Sequence, residues 1–150
     1  MKATFGLLLA SLLLSGLASA RQPLLETLAG QGVAVDAPLP GRLVLFWHPD
    51  CSYCMQELAA LKQADSSLRS QLTTIALLPG KTVRKGAYAL PDDAGNFASR
   101  ANPLDILEHY GNAAGTLPYG FVSHVDGSLC RQLNGSQDIA GLQAALAACH

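Results

Sequence analysis

The chain is 150 residues long, 49% hydrophobic and only 14% charged, a length that fits a single domain. So apolar a chain can offset its ordering entropy by burial, which excludes intrinsic disorder. Ten Lys and Arg against eleven Asp and Glu give a net charge of -1, and no basic run occurs. Electrostatic capture of nucleic acid, which needs clustered cations to displace counterions, is therefore excluded too.

Phe5 to Leu17 is a Leu-rich run behind a single Lys2, and Ala18-Ser19-Ala20 is a small-x-small cleavage site. Together they read as a secretory signal peptide over residues 1–20, removed after Ala20, which places the mature protein in the periplasm or otherwise outside the cytoplasm. The run is shorter than the roughly 20 apolar residues of a membrane span and has no stop-transfer charges behind it. No stable membrane insertion is expected after cleavage; an uncleaved N-terminal anchor is the alternative.

Residues 21–41 read as an N-terminal arm. Within it Leu24, Leu25 and Leu28 give a short amphipathic helical pattern ended by Gly30 and Gly32, and Pro38, Pro40 and Gly41 mark a turn. The main domain is expected over 42–150. It opens with Leu43-Val44-Leu45-Phe46-Trp47, too short an apolar run for a helix and rich in strand formers, hence a strand buried on both faces. After His48-Pro49-Asp50, apolar residues at Met55, Leu58, Ala59, Leu61 and Leu68 recur in helical order from Ser52 to Leu68. Leu72 to Leu78 is a second buried strand, closed by Pro79-Gly80. Strand, helix, strand in this order predicts a parallel unit with a right-handed crossover.

The region 81–103 carries the weakest pattern, with Tyr88-Ala89-Leu90 as a short strand and 91–95 as a turn. Leu104 to Tyr110 reads as one or two helical turns stopped by Gly111. Gly120 to Val125 and Ser128 to Leu133 flank Asp126-Gly127, the signature of a β-hairpin. Ser136 is the expected N-cap of a last helix that carries Ile139, Leu142 and Leu146 on one face.

Chemistry concentrates at Cys51-Ser52-Tyr53-Cys54. A thiol becomes a good nucleophile when ionised, and a helix N-terminus favours the thiolate through unpaired N–H groups and the positive end of its dipole. Cys51 stands at that position, and Cys54 lies within reach to resolve a mixed disulfide formed at Cys51. Half of a zinc site and a purely structural disulfide are the alternatives. The first lacks a second ligand pair, and the second would bridge too few residues to add much stability.

The segment Phe46-Trp47-His48-Pro49-Asp50-Cys51-Ser52-Tyr53-Cys54 resembles the active site of thioredoxin-like proteins, most of all the exported TlpA/ResA/DsbE group of disulfide reductases. Gly115-Thr116-Leu117-Pro118-Tyr119-Gly120-Phe121-Val122 before Asp126-Gly127 resembles that group's second landmark, with one more residue between Gly and Pro. The resemblance implies an α/β thioredoxin fold, a mixed sheet flanked by helices. It also implies catalysis by Cys51 and Cys54, and a cis peptide at Pro118. Substrate contact is implied for Leu117, Pro118 and Trp47. The implied partners are protein thiols or disulfides and a redox donor or acceptor protein, served by a monomer without cofactor or metal. Oxidase or isomerase activity is the alternative direction, and a Cu(I) carrier using the same two cysteines is the alternative class.

Several features depart from the group. Asp50 precedes the first Cys where a Trp is usual; its carboxylate opposes thiolate formation, whereas a protonated His48 would favour it. The group's β-hairpin before the first strand is not evident. Its buried proton-transferring acid has Asp92, Asp93 and Glu108 as candidates. Tyr53 resembles the Cys-x-Tyr-Cys of exported isomerases and of glutaredoxins.

Cys130 and Cys149 form a second, distant pair. From Cys130 to Asn134 an extended strand covers roughly 13 Å, and from Gln137 to Cys149 a returning helix covers roughly 18 Å, so their ends can meet in a structural disulfide. Extra redox thiols relaying electrons are the alternative. His109, His124 and His150 read as surface residues.

Overall fold

A computed structural model of the chain describes residues 24–34, 36 and 38–149, so the expected signal peptide lies outside the described residues. Seven strands form one mixed sheet: β1 (Leu25–Thr27), β2 (Gly32–Val33), β3 (Leu43–Trp47), β4 (Leu72–Ala76), β5 (Gly95–Ser99), β6 (Tyr119–Ser123) and β7 (Leu129–Asn134). Their spatial order is β2-β1-β5-β4-β3-β6-β7. The helices are α1 (Ser52–Lys62), α2 (Ser66–Arg69), α3 (Gly80–Lys85), α4 (Pro103–His109) and α5 (Ile139–Ala147).

β3, an unbroken apolar run, and β4, which carries Thr73 and Thr74 between apolar residues, lie at the centre, where every residue of both strands is buried. They pair in parallel, Leu43 opposite Leu72 and Trp47 opposite Ala76, and α1 makes the crossover. Alternation along β3 divides its side chains between two layers. Leu43 and Leu45 pack with Leu61, Leu68 and the α5 residues Leu142, Ala145 and Leu146. Val44 and Phe46 point the other way, onto Ile75, Tyr119 and the α4 residues Ile106 and Leu107.

The segment around Leu24 to Leu28 is not a helix. Leu25–Thr27 pairs antiparallel with β5 and, through a tight hairpin, with β2, so the arm extends the sheet and a hairpin does precede the first central strand. Only Leu25 of β1 is fully buried, and a strand of three residues leaves no alternation to read. Tyr88–Leu90 is not a strand either; Tyr88 and Leu90 pack against the cluster around Trp47, and the strand of this region is β5, which runs parallel to β4. β5 reads Gly-Asn-Phe-Ala-Ser, a turn-like composition held extended by its neighbours and by a 2.6 Å hydrogen bond from Thr74 Oγ1 to Asn96 Oδ1.

The expected helix from Ser52 to Leu68 is two helices, because Asp65 caps a fresh start by accepting from the Leu68 N–H at 2.9 Å. Asn102 caps α4 in the same way, with Pro103 in its first turn. The cap of α5 is Asp138, whose carboxylate accepts from the Gly141 N–H at 2.7 Å, rather than Ser136. The hairpin at Asp126-Gly127 joins β6 to β7, with a bulge between Val122 and Ser123.

Candidate active site at the end of the central strand

The buried strand β3 delivers the chain to the sheet edge at Trp47, and His48-Pro49-Asp50 turns it into α1. The Cys51 N–H donates to His48 O at 2.9 Å, closing that turn. Cys51 is the N-cap of α1: its backbone is extended and its Sγ accepts from the Cys54 N–H at 3.2 Å. One of the orphan donors of the helix start therefore already points at this sulfur. Cys51 and Cys54 are joined as a disulfide, with their Cα atoms 5.3 Å apart.

The two sulfurs are unequal. Cys54 is 1% exposed and packs with Trp47, Leu58, Ala76, Leu78, Val83 and Ala98, whereas Cys51 is only partly buried at the rim of that cluster. Tyr53 between them is exposed. His48 and Asp50 turn toward each other beside the pair. Asp50 N–H donates to His48 Nδ1 at 3.2 Å, and Asp50 Oδ2 lies 3.5 Å from the same nitrogen.

Trp47 does not reach the surface. Its indole is 1% exposed, edge-on to Tyr88 with ring centroids 5.0 Å apart, so it floors the site and cannot touch a docked chain. Its Nε1 has no hydrogen-bond partner among the described residues. Burial follows from β3 being central and from the 86–90 segment, unreadable in sequence, folding over it.

Leu117 and Pro118 lie where β6 begins, next to the end of β3, since Tyr119 pairs with Phe46. The Leu117–Pro118 peptide bond is cis. Leu117 packs against both the α4 layer and the cluster that contains Cys51 and Cys54, which places this turn beside the cysteines. Among the described residues no hydrogen bond uses its backbone N–H or C=O.

The acids proposed for proton transfer lie elsewhere. Asp92 is exposed and 3.9 Å from Lys62 Nζ; Asp93 pairs with Arg69 at 2.6 Å, which holds its carboxyl below the ordinary range; Glu108 is exposed on α4. Among the described residues the buried acid is Glu57, 8% exposed, one helical turn beyond Cys54 and thus on the same side of α1. Burial pushes its pKa up, and a hydrogen bond accepted from the Gln137 N–H at 2.9 Å offsets this in part. The i, i+3 spacing from Cys54 was the sequence signal that could have found it.

Cys130 and Cys149 are bonded to each other, with Cα atoms 5.9 Å apart. Cys149 packs with Leu43 at the start of β3, whereas Cys54 packs with Trp47 at its end. Thiol–disulfide exchange needs sulfur to meet sulfur. The two pairs occupy opposite ends of a strand, so a direct relay between them has no route in this fold. Among the described residues, no group of three or more His, Cys, Asp and Glu side chains is placed to hold a metal ion.

No protein-family model matches the sequence, and no curated protein matches it. Solved structures do match. A thioredoxin-related protein from Neisseria meningitidis serogroup B superposes with a TM-score of 0.61 at 20% identity, over 82% of this chain and 96% of the other. A secreted Mycobacterium tuberculosis disulfide oxidoreductase homologous to E. coli DsbE gives 0.61 at 17% identity, over 85% and 96%. StoA from Bacillus subtilis gives 0.57 at 16% identity, over 81% and 92%. The chain has the thioredoxin-like fold.

Proposed function

We propose that this thioredoxin-like chain is an exported thiol:disulfide oxidoreductase that reduces protein disulfides. The observation that carries the reading is the inequality of the Cys51–Cys54 pair, one sulfur reachable at a helix start and the other buried behind it. Export is supported by the leader-like residues 1–20 and by the secreted oxidoreductase among the similar structures.

In the reduced protein the Cys51 thiolate, steadied by the Cys54 N–H, attacks one sulfur of a substrate disulfide. The substrate S–S bond breaks, one substrate thiol leaves with a proton, and a mixed disulfide to Cys51 remains. Glu57 takes the proton of Cys54, whose thiolate then attacks Cys51. The second substrate sulfur leaves as a thiolate and takes a proton from water, and the Cys51–Cys54 bond seen here is the product; two electrons have passed to the substrate. The unused N–H and C=O of Leu117 offer an extended substrate segment a strand-like partner beside Cys51, with Pro118 setting the turn. Cys130–Cys149 remains bonded throughout and pins the C-terminus.

Two variants test the cycle. Cys54→Ser should accumulate a mixed disulfide with insulin that dithiothreitol releases, and Cys51→Ser should accumulate none; equal trapping by both would remove the assigned roles. Direction is tested by equilibrating the Cys51–Cys54 pair with glutathione. A potential as high as about −120 mV, that of a strong oxidant, would reassign the protein as an oxidase.

A further inference from the structure

We propose that the buried amide of Asn112 is a positioning residue for the turn that docks the substrate, an inference that rests on the oxidoreductase reading above. Between α4 and β6 the chain runs through residues 110–118 without regular structure, and it includes the extra residue between Gly115 and Pro118. Such a segment needs something to fix it if Leu117 is to present its backbone in one orientation.

Asn112 is 6% exposed, although an asparagine in a loop ordinarily faces water. Its Nδ2 donates to Thr116 O at 2.8 Å, its own N–H donates to Leu107 O at 2.7 Å, and its C=O accepts from the Gly115 N–H at 3.1 Å. It therefore ties the loop to the end of α4 and closes the loop on itself.

The neighbouring stations are held too. Tyr119 Oη donates to Tyr110 O at 2.5 Å, and the Gly135 N–H donates to Pro118 O at 2.9 Å. Leu117 is thus bracketed by two carbonyls, Thr116 O held by Asn112 and Pro118 O held by Gly135. Its own N–H and C=O have no partner among the described residues. Of the two brackets, only the Thr116 one depends on a side chain. Losing the Nδ2 donor frees the peptide plane between Thr116 and Leu117, the plane that carries the Leu117 N–H. A docked segment would then have to order it on binding.

Asn112 touches neither sulfur in this account. Its loss should weaken the docking of a protein chain and spare a small thiol, which reaches Cys51 without backbone pairing. The test uses the full chain with Asn112→Ala and Asn112→Asp. The second variant is nearly isosteric and, as a carboxylate, has no donor for Thr116 O. Three quantities are measured: the rate at which excess insulin oxidises the reduced Cys51–Cys54 pair, as a function of insulin concentration; the rate at which dithiothreitol reduces the oxidised pair; and the reduction potential.

Both variants should raise KM for insulin about tenfold, the loss of one well-made hydrogen bond, with kcat, the dithiothreitol rate and the potential unchanged. An unchanged KM in either folded variant overturns the proposal, as does a dithiothreitol rate that falls in parallel with the insulin rate, since that marks general damage. If the unaltered chain reacts with dithiothreitol but does not reduce insulin, the oxidoreductase reading fails first and takes this inference with it.

Discussion

Glu57 shows burial working against charge inside the site. The carboxyl is held protonated to higher pH in the folded protein than in the unfolded chain, because burial outweighs the single N–H it accepts from Gln137. Its effect on stability therefore has a definite sign. Stability falls as pH rises from the ordinary glutamate value through the raised one, and is unaffected by the group in stronger acid. Glu57→Gln should raise Tm by ~3 °C above that window and leave it unchanged below it, as read by thermal unfolding at about pH 8 and about pH 4. A gain at both pH values would assign the effect to packing. The same variant should slow release of the mixed disulfide from Cys51. Cys51 and Cys54 are legible in sequence because the motif follows a buried strand and opens a helix. Glu57 is legible only by its i, i+3 spacing from Cys54; the N–H that its carboxylate accepts belongs to Gln137, 80 positions away. Trp47 misleads for a related reason: an aromatic next to a redox motif suggests a contact surface, and only the fold shows Tyr88 lying across it.

At the scale of elements, legibility follows how far a segment's structure depends on its own residues. β3 is a continuous apolar run, β4 is built of β-branched and apolar residues, and α1 follows from a 3.6 period, so local pattern and tertiary demand agree. β1 and β5 owe their extended form to pairing with each other and with β4, and neither carries a strand's composition. Leu24, Leu25 and Leu28 satisfy helical spacing by coincidence of three residues. Within β6, Gly120 pairs with Leu45, and a Cβ there would stand 2.5 Å from Val44 O. Gly120→Ala should force β6 away from β3 and destabilise by about 2 kcal/mol, measured as a lower urea midpoint. An unchanged midpoint would mean that the β3–β6 pairing gives way more easily than the geometry allows.

The whole molecule is fastened at the end remote from Cys51 and Cys54. Cys130–Cys149 ties α5 to β7, and Arg42, at the entrance to β3, donates its Nε to Ser123 O at 3.1 Å and its Nη2 to Cys149 O. A bridge closing 19 positions restricts the unfolded chain by about 3 kcal/mol on the chain-entropy model. The double variant Cys130→Ser, Cys149→Ser should lose about that much stability in urea while keeping the insulin rate of the folded protein. A collapse of exchange in a folded double variant would return the pair to a redox role.

The proposed exchange turns on the inequality of the Cys51 and Cys54 sulfurs. The direct test is alkylation of the fully reduced protein by iodoacetamide in mild acid, where free cysteines react slowly, with the labelled residue located by mass spectrometry. Fast labelling confined to Cys51, with Cys54 protected until the chain unfolds, is the predicted result. Labelling of Cys54 at an equal or greater rate, or a Cys51 no faster than cysteine in an unfolded peptide, would contradict it.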